Sequence, residues 1–396
     1  MSGWGDTPRR RAAHGLRAGA MVIGMLAFGG VVRGRPPASQ RIVWPERRTR
    51  GLDDLARRVP ATLRLTVGGK GDVAEVGVRR CEPAGLGLVL DLGFPAGGAK
   101  SHRETTHLLF VSFPASASDR AGTRGESGAV PQVLSPADVR LGVRWTLYEP
   151  RGRARGLVVH LGGNRYVRRA LLKAGWVVLS SDGTGRYFAR RKKPQVFSLA
   201  SGDEVPEVAR RIAGVIDDEL ADWPYSLEAV LAYLGRHRPD VPQAPAAIMG
   251  FSIGALGLPA VVARMPERFG AAVIVAGGAD LLRISVTSHK HNPGIVLRHR
   301  GRPLDQSLWT ALDRAYLRHA ALDPYTAAAA LHDMPVLVVS GHFDQVVPAA
   351  TGALLWTRLG KPERLAYPVG HRQLLRTIMR FQTQRLVDWT QAALGR

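Results

Sequence analysis

The segment Ala247-Ile248-Met249-Gly250-Phe251-Ser252-Ile253-Gly254 is an apolar run that closes on Gly-x-Ser-x-Gly and passes straight into a second apolar stretch, Ala255 to Val262. That order reads as a strand, a sharp turn and a helix, with Ser252 at the apex. A hydroxyl held at the top of so tight a turn needs the smallest residues two before and two after it, because side chains there would strike the neighbouring strand and helix. In a chain with 45 Gly, five residues of this pattern arise easily by chance. Their meaning rests on whether an acid and a histidine stand in the right places further along the chain.

Two downstream strands supply these partners. Met334-Pro335-Val336-Leu337-Val338-Val339-Ser340 has the continuous apolar character of a buried parallel strand and leads into Gly341-His342-Phe343-Asp344, placing Asp344 on the loop beyond it. A shorter strand, Arg364 to Pro368, leads to Val369-Gly370-His371. From Gln373 to Leu394 the apolar spacing predicts a helix, so His371 sits at a strand-to-helix junction. Serine, acid and histidine therefore occur in that order, the last two each just beyond a strand.

From about Leu141 to Arg396 the chain resembles an α/β-hydrolase-fold serine hydrolase of the esterase and lipase kind. Leu157-Val158-Val159-His160-Leu161-Gly162-Gly163-Asn164 resembles the third strand and its His-Gly oxyanion loop, with Leu161 where the family has Gly. Gly175 to Gly185, with Asp182, resembles the fourth strand and its turn. Met265 to Gly278 resembles the end of the helix after the elbow and the sixth strand. The resemblance implies a mostly parallel, doubly wound α/β sheet with helices on both faces. It also implies a Ser252, His371, Asp344 triad that forms an acyl-enzyme. The oxyanion donors would be the backbone N–H groups of Ile253 and Gly162.

Each position has a plainer alternative. Ser252 could be structural in a Gly-rich turn. Asp344 could cap a helix over Pro348 to Arg358, with Asp280 as the rival acid. His342 is the rival base by proximity. His160 is read as structural, and Asp182 as a residue that stabilises its own turn.

Composition narrows the rest. The single Cys81 permits no intrachain disulfide and no cysteine zinc cluster, and it is read as a packed residue. No metal-ligand spacing or phosphate-cradling loop is evident, so no cofactor is expected. The net charge of +23 rests largely on arginine. Arginines are dispersed and no nucleic-acid motif accompanies them, so nucleic acid is not an expected partner. The dispersion favours a bias toward Arg across the composition over attraction to anionic membranes or acidic substrates.

Three regions are expected along the chain. Residues 1–40 carry a basic start and the uncharged apolar run Ala18 to Val32, which fits an export signal or short membrane anchor; without that targeting the protein would be cytoplasmic. Residues 41–140 form a β-rich preface, with strands over Ala61–Val67, Leu86–Leu92 and His107–Phe113, and a flexible linker over Pro114 to Asp138. This preface could extend the sheet or stand as its own module. Residues 141–396 form the hydrolase domain, with cap-like insertions at 186–207 and 281–331. Trp309, Tyr316 and Tyr325 of the second insertion are candidates to line an acyl pocket, and Asp217, Asp218 and Glu219 are read as a solvated helix face. Helices are expected over Val208–Arg236 and Ser307–Ala321.

The function expected is cleavage of a small-molecule carboxylic ester. An acyltransferase or peptidase using the same triad, and a membrane-tethered, non-catalytic α/β-hydrolase-fold binding protein, are the alternatives.

Overall fold

A computed structural model describes residues 42–67, 72–93, 103–114, 131–135, 138, 142–181, 194–243, 245–288 and 294–395. The apolar run 18–32, most of the linker, Asp182 and residues 186–193 of the first insertion lie outside the described residues.

Strands β1 (Thr62–Val67), β2 (Asp72–Ala84), β3 (Gly87–Gly93), β4 (Arg103–Ser112), β5 (Val143–Glu149), β6 (Leu157–Leu161), β7 (Val177–Ser181), β9 (Ala246–Phe251), β10 (Phe269–Val275), β12 (Val336–Gly341) and β13 (Glu363–Tyr367) form one sheet. Their order is β1-β2-β3-β4-β5-β7-β6-β9-β10-β12-β13. From β7 to β13 every pairing is parallel. From β1 to β5, and across β5 to β7, every pairing is antiparallel. The preface strands thus prolong the sheet. The expected β-rich run also contains β2, a 13-residue strand that sequence patterning did not reveal.

Burial on both faces explains the apolar strands. Ile248, Ile274 and Val338 face one core, while Met249, Val273, Val339 and Leu337 face the other. This alternation is the period-2 geometry of a strand buried on both sides. Helices Val205–Leu220, Asp222–His237 and Ile253–Arg264 cover the first face; Arg165–Lys173 and Thr383–Ala393 cover the second. On the antiparallel flank, Leu88, Leu90 and Leu92 pack with Leu52 and Leu55 of the short helix Leu52–Arg57.

The two insertions meet. Strands β8 (Gln195–Leu199) and β11 (Ile295–His299) pair in parallel as a separate two-stranded sheet. Helix Gln306–His319 packs on Val205–Leu220. The expected single helix over Val208–Arg236 is two helices, divided at Ala221.

The predicted solvated acidic face is not one. Asp217 is buried and accepts the backbone N–H groups of Ala321 (2.8 Å) and Leu322 (2.9 Å). Burial pushes its carboxyl up to about 7, against the opposing pull of those two N–H groups. Asp218 pairs with the buried Arg47, which also reaches Asp222 at 3.2 Å. Both partners come from distant parts of the chain, so local sequence pattern could not show them.

Gly257 marks a close helix contact. A Cβ there would fall inside the buried ring of Trp223 on the preceding helix. Gly257→Ala should destabilise the fold by about 1–3 kcal/mol, since a packed indole cannot withdraw without moving its helix. Denaturant unfolding followed by tryptophan fluorescence will measure this.

Candidate active site

Ser252 stands between β9 and helix Ile253–Arg264 with φ 53° and ψ −113°, a conformation costly for a residue with a Cβ. The turn is held from below by the Ser252 N–H, which donates to Val275 O at 2.8 Å. From above, Ser252 O accepts the N–H groups of Ala255 (2.9 Å) and Leu256 (3.1 Å). The flanking glycines are needed for space. A Cβ on Gly250 would come within 2.6–2.8 Å of Gly254 O and the backbone of Ala255; one on Gly254 would strike Leu161 O.

The last contact brings the loop after β6 against the elbow. Gly162 has φ +75°, and a Cβ on it would lie 2.5 Å from Phe251 O and 2.9 Å from Gly254 N. Ile253 is the first residue of its helix, where a backbone N–H lacks an intrahelical acceptor. Both residues expected to supply oxyanion donors therefore lie beside Ser252.

The acid loop and the histidine loop are joined through their backbones. His342 N donates to Tyr367 O (2.8 Å) and Phe343 N to Val369 O (3.2 Å). Asp344 is buried and uses its two oxygens differently. Oδ1 accepts the N–H groups of Val346 and Val347, each at 2.9 Å, and Oδ2 accepts His371 Nδ1–H at 2.7 Å. The same carboxylate thus braces its own loop and orients the imidazole. His371 Nε2 lies 2.8 Å from Ser252 Oγ. With Nδ1–H committed to the carboxylate, Nε2 is free to accept the serine proton.

The rivals are placed elsewhere. Asp280 is fully buried, N-caps helix Leu281–Thr287 and pairs with Arg283 at 3.0 Å. Burial first, and then the charge of Asp313, push its carboxyl up to about 8. His342 is exposed. Tyr316 is core and donates to buried Asp323 at 2.8 Å; Tyr325 lies 4.3 Å beneath the Arg358 guanidinium, and Trp309 packs half-buried on the core. Cys81 is half-buried, its thiol pushed up to about 12 by burial and next by Glu82.

Asn164, to which the sequence pattern assigns no role, links the site together. Its Oδ1 accepts the N–H groups of Tyr166 (3.0 Å) and Val167 (3.3 Å), capping helix Arg165–Lys173. Its Nδ2 donates to Leu375 O at 3.0 Å, in the π-helical turn Leu374–Ile378 just beyond His371. Its backbone N–H donates to His160 Nε2 at 3.3 Å. The His160 ring is therefore neutral, with Nδ1–H toward Ser180 Oγ at 3.3 Å. Complete burial, aided by Arg168, lowers its pKa to about 3.

Residues 226–374 match the prolyl oligopeptidase family. No curated protein matches the chain. Among solved structures the chain is similar to an esterase from Pyrococcus furiosus, at 16% identity and TM-score 0.41 over 63% of this chain and 86% of that one. It is also similar to Est1E from Butyrivibrio proteoclasticus, at 14% identity and TM-score 0.42 over 65% and 96%. A third is acetyl xylan esterase 1 from a Thermoanaerobacterium species, at 14% identity and TM-score 0.44 over 76% and 87%.

The Asn164 network can be tested in two ways. Asn164→Ala should cost about 1–2 kcal/mol for the lost cap, read in thermal unfolding, and should lower turnover because the loop after β6 loses its tie to the His371 segment. Because His160 binds a proton only near pH 3 when folded and near 6.5 when unfolded, its burial contributes stability above about pH 6.5 that is lost as pH falls. His160→Gln should flatten that acid limb, and the wild-type His160 ring resonances should not titrate between about pH 5 and 8.

Proposed function

We propose that this chain, a serine hydrolase of the α/β-hydrolase fold, cleaves carboxylic esters through an acyl-enzyme on Ser252. The observation that carries the reading is the continuous hydrogen-bonded chain Ser252 Oγ, His371 Nε2, His371 Nδ1, Asp344 Oδ2, at 2.8 and 2.7 Å. His371 takes the hydroxyl proton as Ser252 Oγ attacks the acyl carbonyl. Asp344 holds the imidazole in the tautomer that leaves Nε2 open and balances the imidazolium charge. The N–H groups of Ile253 and Gly162 receive the developing oxyanion; each such donor contributes roughly 3–4 kcal/mol to lowering the barrier. His371 returns the proton to the leaving alcohol. Water then enters by the same general-base route and releases the acid.

The match to the prolyl oligopeptidase family favours a peptidase as the second reading. Against it, the strands that precede the hydrolase sheet continue that sheet and, among the described residues, do not build a propeller over the site.

Fluorophosphonate labelling tests the chemistry directly. Wild-type protein should label; Ser252→Ala should not, and His371→Ala and Asp344→Asn should label about 10³–10⁴-fold more slowly. Asp280→Asn should label at close to the wild-type rate. A folded wild type that does not label overturns the reading. Hydrolysis of aryl esters with no cleavage of proline-containing peptides supports the esterase; the reverse result establishes the peptidase.

A further inference from the structure

Some of the arginines that look dispersed along the sequence lie on two segments that pack together. Helix Arg165–Lys173 carries Arg165, Arg168, Arg169 and Lys173, and no Asp or Glu occurs between Leu157 and Ser181. The segment after His371 carries Arg372, Arg376, Arg380 and Arg385, and no Asp or Glu occurs between Val369 and Val387. These two acid-free stretches pack against each other. Asn164 Nδ2 donates across the seam to Leu375 O, and the ring of Tyr166 is shared by Arg165 at 4.9 Å and Arg380 at 5.8 Å. Arg165, Arg169, Lys173, Arg376 and Arg380 are all exposed.

Several arginines elsewhere are paired with carboxylates, as in Arg238 with Glu149 (2.8 Å) and Arg264 with Glu228 (2.8 Å). Among the described residues none of the cations on this face forms an ion pair. Asp388 and Glu363, the carboxylates that flank the second stretch, accept from Gln384 Nε2 (2.8 Å) and Trp389 Nε1 (2.9 Å) and pair with none of these cations. Like charges held together without counter-charge raise the energy of the free protein, and an anionic surface relieves it.

Two exposed phenyl rings lie on segments joined to this face, one by sequence and one by a backbone bond. Phe381, next to Arg380, is 74% exposed, and Phe343, whose N–H is bound to Val369 O two residues before His371, is 66% exposed. They are the exposed aromatic members of the large apolar side chains described at the surface. Cations that meet lipid headgroups, beside aromatic rings able to enter the interface, are the two components of peripheral membrane binding.

We propose that this face docks on an anionic lipid bilayer and seats the mouth of the Ser252 site against the lipid–water interface. Docking does not depend on the chemistry assigned to Ser252, so it stands or falls separately from the esterase reading. It also does not require residues 1–40, whose arginines and apolar run could bind vesicles separately from this face, so the charge-reversal and Phe381 variants, and not wild-type binding alone, report on it.

The test is vesicle co-sedimentation of the full chain. Variants are Arg169→Glu with Arg376→Glu, the milder Arg380→Gln, and Phe381→Ser, each checked for native circular dichroism and for fluorophosphonate labelling. Wild type should bind phosphatidylserine-containing vesicles more tightly than phosphatidylcholine alone, and less tightly as salt rises. The double charge reversal should weaken binding roughly tenfold or more, and Phe381→Ser should weaken it with little change in salt dependence. Equal binding to both vesicle types, or a folded charge-reversal variant that binds as wild type does, overturns the proposal. So does tighter binding to single-stranded RNA than to anionic vesicles with Phe381→Ser without effect, which would make the face a nucleic-acid surface.

Discussion

The contact on which the site depends is between two stretches of bare backbone. The start of helix Ile253–Arg264 and the loop after β6 lie so close that neither Gly254 nor Gly162 could carry a Cβ where it stands. Strands β6 and β9 are neighbours in register, Leu161 opposite Gly250, so both chains leave the sheet at the same level and turn toward each other. The sheet pairing fixes where the two loops begin, and the absent side chains let them close. Ser252, held at a positive φ by bonds on both sides of the turn, is offered to the space between them.

A second pair of loops closes from the other side. The strands β12 and β13 are also adjacent and parallel, and the loops beyond them are bonded backbone to backbone before any side chain is involved. The separation of Asp344 and His371 is therefore set mainly by the sheet and only finished by their hydrogen bond. Asn164 then ties the first pair of loops to the second through Leu375, using an amide that also caps its own helix. A short uncharged side chain that accepts two backbone N–H groups and donates to a distant carbonyl leaves little freedom for relative movement.

Features encoded in local pattern were legible in the sequence. The apolar strands Ala246–Phe251 and Val336–Gly341, the small residues around Ser252, and the order of serine, acid and histidine needed only neighbouring residues to be read. What was missed depends on partners far along the chain. Strand β2 interrupts its alternation with Gly77, Arg79, Arg80 and Pro83, and it is stabilised by ladders on both sides. The burial of Asp217 depends on backbone donors at Ala321 and Leu322, about a hundred residues away. The role of Asn164 depends on a carbonyl in the π-helical turn about two hundred residues away, which no local propensity indicates. The face of unpaired arginines is the same kind of case: regular spacing hid it, and only the packing of two helical segments gathers it.

The chain order of the sheet has a consequence for the timing of biosynthesis. The elbow sits on an interior strand, whereas β13, which delivers His371, is an edge strand that follows the other described strands in the chain. A growing polypeptide can complete β9, β10 and the helices that cover them while Ser252 still lacks its imidazole. The hydroxyl gains its hydrogen-bonded imidazole only when β13, made more than a hundred residues later, docks on β12 and brings His371 beside it.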